Sequence, residues 1–203
     1  MKFLCFSDLH RNTDAAKHLV ELSEEVDIVI GAGDFANRHA GLTDTLSILK
    51  DIEKPSVLVP GNGETYKELR DAAAIWSSAT VLHGTGCECL GVPFWGVGGG
   101  IPVTPFGSWS YDFDEEKASE LLADCPQSGV LVVHSPPINT VDADSTERVR
   151  GSQSIRDCVE SKQPKLVVCG HIHDDWEKRA EIGPSQILNA GPRGVVMDIA
   201  FDQ

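Results

Sequence analysis

The sequence predicts an α/β protein. Strand-like and helix-like segments alternate through the first half of the chain. Apolar runs recur that end abruptly in glycine and polar residues. The 203 residues, 41% of them hydrophobic, supply enough apolar material for one sizeable core, so residues 1–203 are read as a single domain.

The first strand is "KFLCFS", a short apolar run. "TDAAKHLVELSEE" follows with helical spacing that puts Ala16, Leu19 and Val20 on one side, and either Asn12 or Thr13 is placed to cap it. "DIVIGAGD" is the second strand and "LTDTLSILKDI" the second helix. "PSVLVPGN" is the third strand. "ETYKELRDAAAIW" is the third helix, opened by Glu64 where the helix dipole favours an acid. Strand alternating with helix calls for parallel βαβ units joined by right-handed crossovers. The middle is different: "TVLHG" and "CECLGVPFWGV" read as short strands, and "GGGIPVTPFGSWS" as a long irregular loop. "DEEKASELLAD" and "SQSIRDCVESK" then read as helices around the strand "GVLVVHSPP", with "PKLVVCGHIHD" a strand beyond them. The tail from "DWEKRAEIG" through "SQILNAG" to "GVVMDIAF" reads as successive antiparallel strands.

Composition narrows the function. The net charge is −14 and the pI about 4.8, so the surface repels polyanions and long nucleic acids are excluded as partners. No apolar run approaches membrane-spanning length, and "MKFLCFSD" meets polar residues too early for a signal peptide. The six cysteines form no CxxC pair, and Cys5 and Cys169 lie inside apolar runs as buried free thiols do. Cys87 and Cys89 share one strand face and read as two packed thiols. A reducing, cytoplasmic setting is expected, and no oligomeric state is read from the chain.

Five apolar runs end in groups that can bind a metal. "FLCFSDLH" ends in Asp8 and His10, "DIVIGAGD" in Asp34, "SVLVPGN" in Asn62, "VLVVH" in His134 and "LVVCGHIH" in His171 and His173. Open α/β sheets bind ligands beyond the carboxyl ends of their strands. Asp8 and His10 are two apart, as are His171 and His173, and on extended backbone each pair leaves the same side. Glycines before Asp34, Asn62 and His171 permit close approach of the backbone. Singly, each motif has an ordinary explanation: an Asp after a strand caps or turns, a buried His is a hydrogen-bonded core group, and Gly-Asn is a turn. Together and in order they specify a metal site.

The ordered set "DLH", "GD", "GN", "H" and "GHIH", from Asp8 to His173, resembles the signature of the calcineurin-like metallophosphoesterases. The resemblance implies a four-layer αββα sandwich with two mixed sheets packed face to face. It implies two divalent cations, Mn²⁺ favoured over Fe or Zn²⁺, that hydrolyse a small phosphate ester through a bridging hydroxide. One ion would lie among Asp8, His10, Asp34 and His173, and the second among Asp34, Asn62, His134 and His171. Mixed oxygen and imidazole donors suit these metals rather than Ca²⁺. Two carboxylates against two dications leave a local positive charge that draws phosphate to an acidic protein.

The sequence departs from the resemblance at Gly63, where the commoner pattern has a histidine that helps the leaving group depart. Its loss is worth about 10²–10⁴-fold when the leaving group needs a proton. A phosphodiesterase acting on good leaving groups is therefore expected. His39 is the candidate replacement acid, weighed against a solvated loop residue. Arg11, Arg38 and Asn12 are candidate substrate contacts, Asn12 doubling as a helix cap. Phe106, Trp109 and Tyr111 either meet a substrate ring or pack within their own loop, and Arg193 reads as a surface residue. The competing function is a catalytically impaired scaffold, which the seven intact ligand positions oppose.

Overall fold

The computed structural model describes residues 1–201, so the last two positions of the expected domain lie outside the described residues. The first sheet contains β1 (Lys2–Phe6), β2 (Ile28–Gly31), β3 (Ser56–Leu58) and β4 (Ala79–Val81), all parallel, with β11 (Val195–Asp198) antiparallel at the β1 edge. The second has the order β5 (Thr85–Cys89), β6 (Val92–Val97), β7 (Val130–Val133), β8 (Leu166–Cys169), β10 (Ser185–Asn189), β9 (Arg179–Ile182). Strands β6, β7, β8 and β10 are parallel, and the two edge strands are antiparallel to them.

The period-two geometry of a strand explains the layering. In β1, Phe3 and Cys5 enter the core between the sheets with Ile28, Ile30, Phe94, Val132 and Val168. Leu4 and Phe6 point the other way, into a layer shared with α1 (Thr13–Ser23), α2 (Leu42–Leu49) and α3 (Tyr66–Ala72). In β7 and β8, Leu131, Val133, Val167 and Cys169 face α4 (Glu115–Leu122) and α5 (Gln153–Lys162). The result is the expected four layers: helices, sheet, sheet, helices. Among the described residues no helix is long and apolar enough to cross a membrane.

Local chemistry sets the ends of these elements. Asn12 caps α1, its Oδ1 accepting the Ala15 N–H at 3.0 Å. Asp114 and Ser152 cap α4 and α5 in the same way. Leu90 and Gly91, at φ 49° and 79°, form the two-residue hairpin between β5 and β6.

Two expectations need correction. The third helix begins at Tyr66, with a capping box between Thr65 and Glu68; Glu64 lies outside it, and its carboxylate is buried elsewhere. The tail is not simply antiparallel. A hairpin joins β9 to β10, and the return arm inserts between β9 and β8, parallel to β8. Burial decides which arm goes inside: β10 buries Ile187 and Leu188, whereas Arg179 and Glu181 of β9 stay exposed at the edge. The chain then crosses to the first sheet, pairing Lys2 with Asp198.

His83, between β4 and β5, stacks on Tyr66 (centroids 5.7 Å apart) and lies against Tyr111 and Phe113. Its Nδ1 accepts the Gly98 N–H at 3.2 Å. Burial, and secondarily the Lys117 charge, lowers its pKa from 6.5 to about 4. The unfolded chain therefore binds this proton more readily than the folded one. The stabilisation is complete above 6.5 and is lost as pH falls towards 4. In chelator-treated protein, the urea midpoint of the wild type should fall more steeply across that window than the midpoint of His83→Gln. Parallel pH profiles would contradict this assignment.

Candidate metal centre

All seven expected residues meet at one edge of the sandwich, delivered by the carboxyl ends of β1, β2, β3, β7 and β8. His10 Nε2 lies 3.1 Å from His173 Nε2 and 3.6 Å from Asp34 Oδ2. His173 Nε2 is 3.7 Å from Asp8 Oδ1. On the other side, Asn62 Oδ1 is 3.1 Å from both His134 Nε2 and His171 Nδ1, and His134 Nε2 is 3.6 Å from Asp34 Oδ1. Asp34 thus turns one oxygen to each half of the cluster. The donor atoms of Asp8, His10 and His173 lie within 4.8 Å of one another, as do those of Asp8, Asp34 and His134.

Tautomers follow from the surrounding carbonyls. His134 Nδ1 donates to Ala32 O at 2.8 Å and His10 Nδ1 to Ala36 O at 3.3 Å, because a carbonyl only accepts. In the neutral rings each Nε2 therefore turns a lone pair into the cluster. The Asn62 amide is equally fixed. Its Nδ2 donates to Ser110 Oγ at 2.9 Å, and Ser110 in turn donates to Asp112 Oδ1 at 2.7 Å. Asn62 Oδ1 and His134 Nε2 then face each other as two acceptors with no proton between them. Such a contact is repulsive unless a cation shares both lone pairs, so the residues present fit a divalent metal pair.

The charges agree. Burial, reinforced by the adjacent Asp8 carboxylate, pushes Asp34 up to about 7. Asp8 is buried too, but its pairing with His173 and the Ser7 hydroxyl hold it well below the usual carboxylate range. Burial brings His171 down to about 3, leaving it neutral and free to coordinate. His173 is shifted upward by Asp8.

The route by which side chains reach the cluster differs from the expected one. Asp8, His10 and His171 are not extended; their φ angles are 54°, 44° and 69°. Left-handed turns beyond the strand ends, rather than alternation along them, aim these residues inward. The glycines act as expected: a Cβ on Gly61 would collide with the Asp34 carboxylate, and one on Gly170 would stand 2.5 Å from Asp8 Oδ2.

The expected substrate contacts divide. Arg38 lines the cleft above the cluster, its guanidinium 4.9 Å from the Trp109 ring centre. Arg11 lies across Gly41, and Asn12 serves as the α1 cap. His39 has both ring nitrogens engaged, Nδ1 on Glu68 Oε2 at 2.9 Å and Nε2 on Trp109 O at 2.7 Å. Both partners accept, so His39 donates from both nitrogens, and the Glu68 hydrogen bond raises its pKa. Phe106 and Trp109 line the cleft, whereas Tyr111 packs inward on Phe113. Arg193 is at the surface beside Glu177.

Several supporting residues were not foreseen. Glu64, fully buried, accepts N–H groups of Asp34, Ala36 and Gly61 at 2.9, 2.9 and 2.8 Å, tying the Asp34 loop to the Asn62 loop. Ser7 Oγ donates to Asp8 Oδ2 at 2.5 Å and accepts the Gly191 N–H at 2.9 Å. Trp176 Nε1 donates to Asp8 Oδ2 at 3.1 Å. The acid directly after the Gly-Asn-Gly turn was the available signal for Glu64; nothing local marks Trp176.

Fold and donor set together define a two-sheet α/β protein with a cluster of candidate metal ligands at its strand ends. The family model described as calcineurin-like phosphoesterase matches residues 1–175, and the chain belongs to that family. The family is dependent on a binuclear metal centre, and membership supports a phosphoesterase, a hydrolase of small phosphate esters. A search of curated proteins finds no match. Among solved structures, the chain is similar to the protein TT1561 of Thermus thermophilus (TM-score 0.75, 17% identity, 95% of this chain and 90% of that one). It is also similar to a dimetal phosphatase from Danio rerio (0.65, 14%, 95% and 88%) and to an archaeal phosphodiesterase (0.56, 16%, 94% and 84%).

Glu64→Gln turns one acceptor into a donor facing buried N–H groups. It should cost about 1–3 kcal/mol of stability and weaken Mn²⁺ binding about 10–100-fold. Urea unfolding and calorimetric metal titration check this; unchanged metal affinity would show that Glu64 does not orient the centre.

Proposed function

We propose that this chain is a phosphodiesterase working as a single domain. Asp8, His10, Asp34 and His173 hold one divalent cation, and Asp34, Asn62, His134 and His171 hold the second. The observation that carries the reading is the convergence of Asn62 Oδ1, His134 Nε2 and His171 Nδ1 through 3.1 Å contacts. When bound, the two ions supply Lewis acidity at a phosphoryl oxygen and bring the pKa of water towards neutrality. Oxygen and imidazole donors in mixture suit Mn²⁺, Fe or Zn²⁺, and Mn²⁺ is the ion proposed.

The chain's own residues do the rest. Asp34 spans both halves of the cluster and fixes their separation, and the Gly63 N–H holds its Oδ1 at 2.7 Å. Arg38 has no carboxylate partner among the described residues and is placed to orient a phosphate oxygen entering the cleft. Gly63 offers no proton to a leaving group, and His39 is bonded elsewhere. Diesters with good leaving groups are therefore favoured over monoesters. The archaeal phosphodiesterase among the similar folds agrees with that preference. The six free thiols agree with a reducing, cytoplasmic setting.

With Mn²⁺ supplied, bis(p-nitrophenyl) phosphate should be hydrolysed faster than p-nitrophenyl phosphate. Asp34→Asn should lower diester turnover by about 10²-fold or more, as loss of metal-centre geometry requires. A metal-free protein inert on both esters would favour the scaffold reading instead, and monoester preference would overturn the diester assignment.

A further inference from the structure

Above the ligand cluster lies a cleft of about 730 Å³. Its floor is the ligand cluster, and its walls are largely apolar. The loop between β6 and α4 contributes Pro102, Val103 and Phe106, and the loop between β7 and α5 contributes Ile138 and Val149. Val103, Phe106 and Val149 are 63%, 50% and 47% exposed, three of the six large hydrophobic side chains so exposed among the described residues. Their gathering at one mouth marks a surface that gains by being covered.

This wall is held in place. Ile101 N–H donates to Ser135 Oγ at 2.8 Å, and Tyr111 N–H donates to Asn62 O at 3.0 Å. Phe106 lies nearly parallel to Trp109 (12°, centroids 5.6 Å apart), with Arg38 also on Trp109. Phe106 is 6.5 Å from the His171 ring, so the apolar surface starts one ring's distance from the cluster. Apart from Arg38, which is left for the phosphate, the charged side chains of the walls have partners within the protein, Asp174 Oδ2 accepting the Ser145 N–H at 2.8 Å. Asp144 takes the Arg150 guanidinium at 2.8 and 2.7 Å, and Thr104 Oγ1 donates to Asp112 Oδ2 at 2.6 Å. With Arg38 committed to the phosphate, few side-chain groups remain to pair with sugar hydroxyls or base edges, whereas a flat apolar group can extend the Trp109–Phe106 stack.

We propose that the cleft selects phosphate esters carrying an apolar, preferably aryl, substituent seated on Phe106 with Val103 and Val149, and disfavours nucleotides. The proposal rests on the phosphoesterase reading for its phosphate, and on the loops alone for its selectivity.

The test is calorimetric binding of methylphosphonate, butylphosphonate, phenylphosphonate and thymidine 5′-phosphate to the full chain loaded with Mn²⁺. Phenylphosphonate should bind about tenfold or more tighter than methylphosphonate, the order expected when a ring's apolar area leaves water. Butylphosphonate should fall between them, and thymidine 5′-phosphate should bind no tighter than methylphosphonate. Phe106→Ala, and independently the more exposed Val103→Ser, should bring the phenyl-to-methyl ratio below roughly threefold. Equal binding of all four, tightest binding of the nucleotide, or binding of none would overturn the proposal. Aryl selectivity without diester turnover would sink the phosphodiesterase reading and leave this one standing; turnover without selectivity would do the reverse.

Discussion

Asn62 Oδ1 and, in the neutral ring, His134 Nε2 face each other in a buried place at 3.1 Å as two acceptors with no hydrogen between them, and His171 Nδ1 meets the same Asn62 oxygen at 3.1 Å. Beside them two buried carboxylates, Asp8 and Asp34, repel each other enough to help lift Asp34 to about 7. A protein interior tolerates such an arrangement only when positive charge is supplied. The rest of the site is understood as the structure needed to hold these groups in place.

Holding them requires strands that end together. Parallel order in both sheets sends the ends of β1, β2, β3, β7 and β8 to one rim, where the loops are tied to one another rather than to solvent. Glu64 binds the second and third loops, Ser7 binds the first to the Gly191 turn, and Ser110 orients the Asn62 amide. Asp8, His10, Asp34 and His171 adopt left-handed backbone, a strain of about 1 kcal/mol each. The surrounding packing and hydrogen bonds offset that strain. The acidic surface and the cleft are compatible, since a metal pair in the proposed reading dominates the field at the floor.

Much of this was legible in the sequence. The apolar runs from "KFLCFS" to "PKLVVCG" located the strands, and the residues that ended them, Asp8 to His173, all reached the cluster. What failed was geometry that sequence spacing does not encode. Alternation explains how Phe3 and Leu4 part to opposite faces, but Asp8 and His10 meet through left-handed turns that no residue pattern announced. Glu64 looked like a helix-opening acid because two of its buried N–H partners, those of Asp34 and Ala36, come from a distant loop that no local window contains. The tail was misread for a related reason. Burial of Ile187 and Leu188, a tertiary matter, placed β10 inside its own hairpin partner. Phe106 and Trp109 were open between self-packing and substrate contact, and the structure has them stacked on each other while still lining the cleft.

Anomalous diffraction from crystals grown with Mn²⁺ addresses the central claim most directly. The account requires two peaks, about 3.5–4 Å apart as paired catalytic metals are, with Asp34 between them and Asn62 Oδ1 on one. A single ion, or manganese bound only outside this cluster, would contradict it.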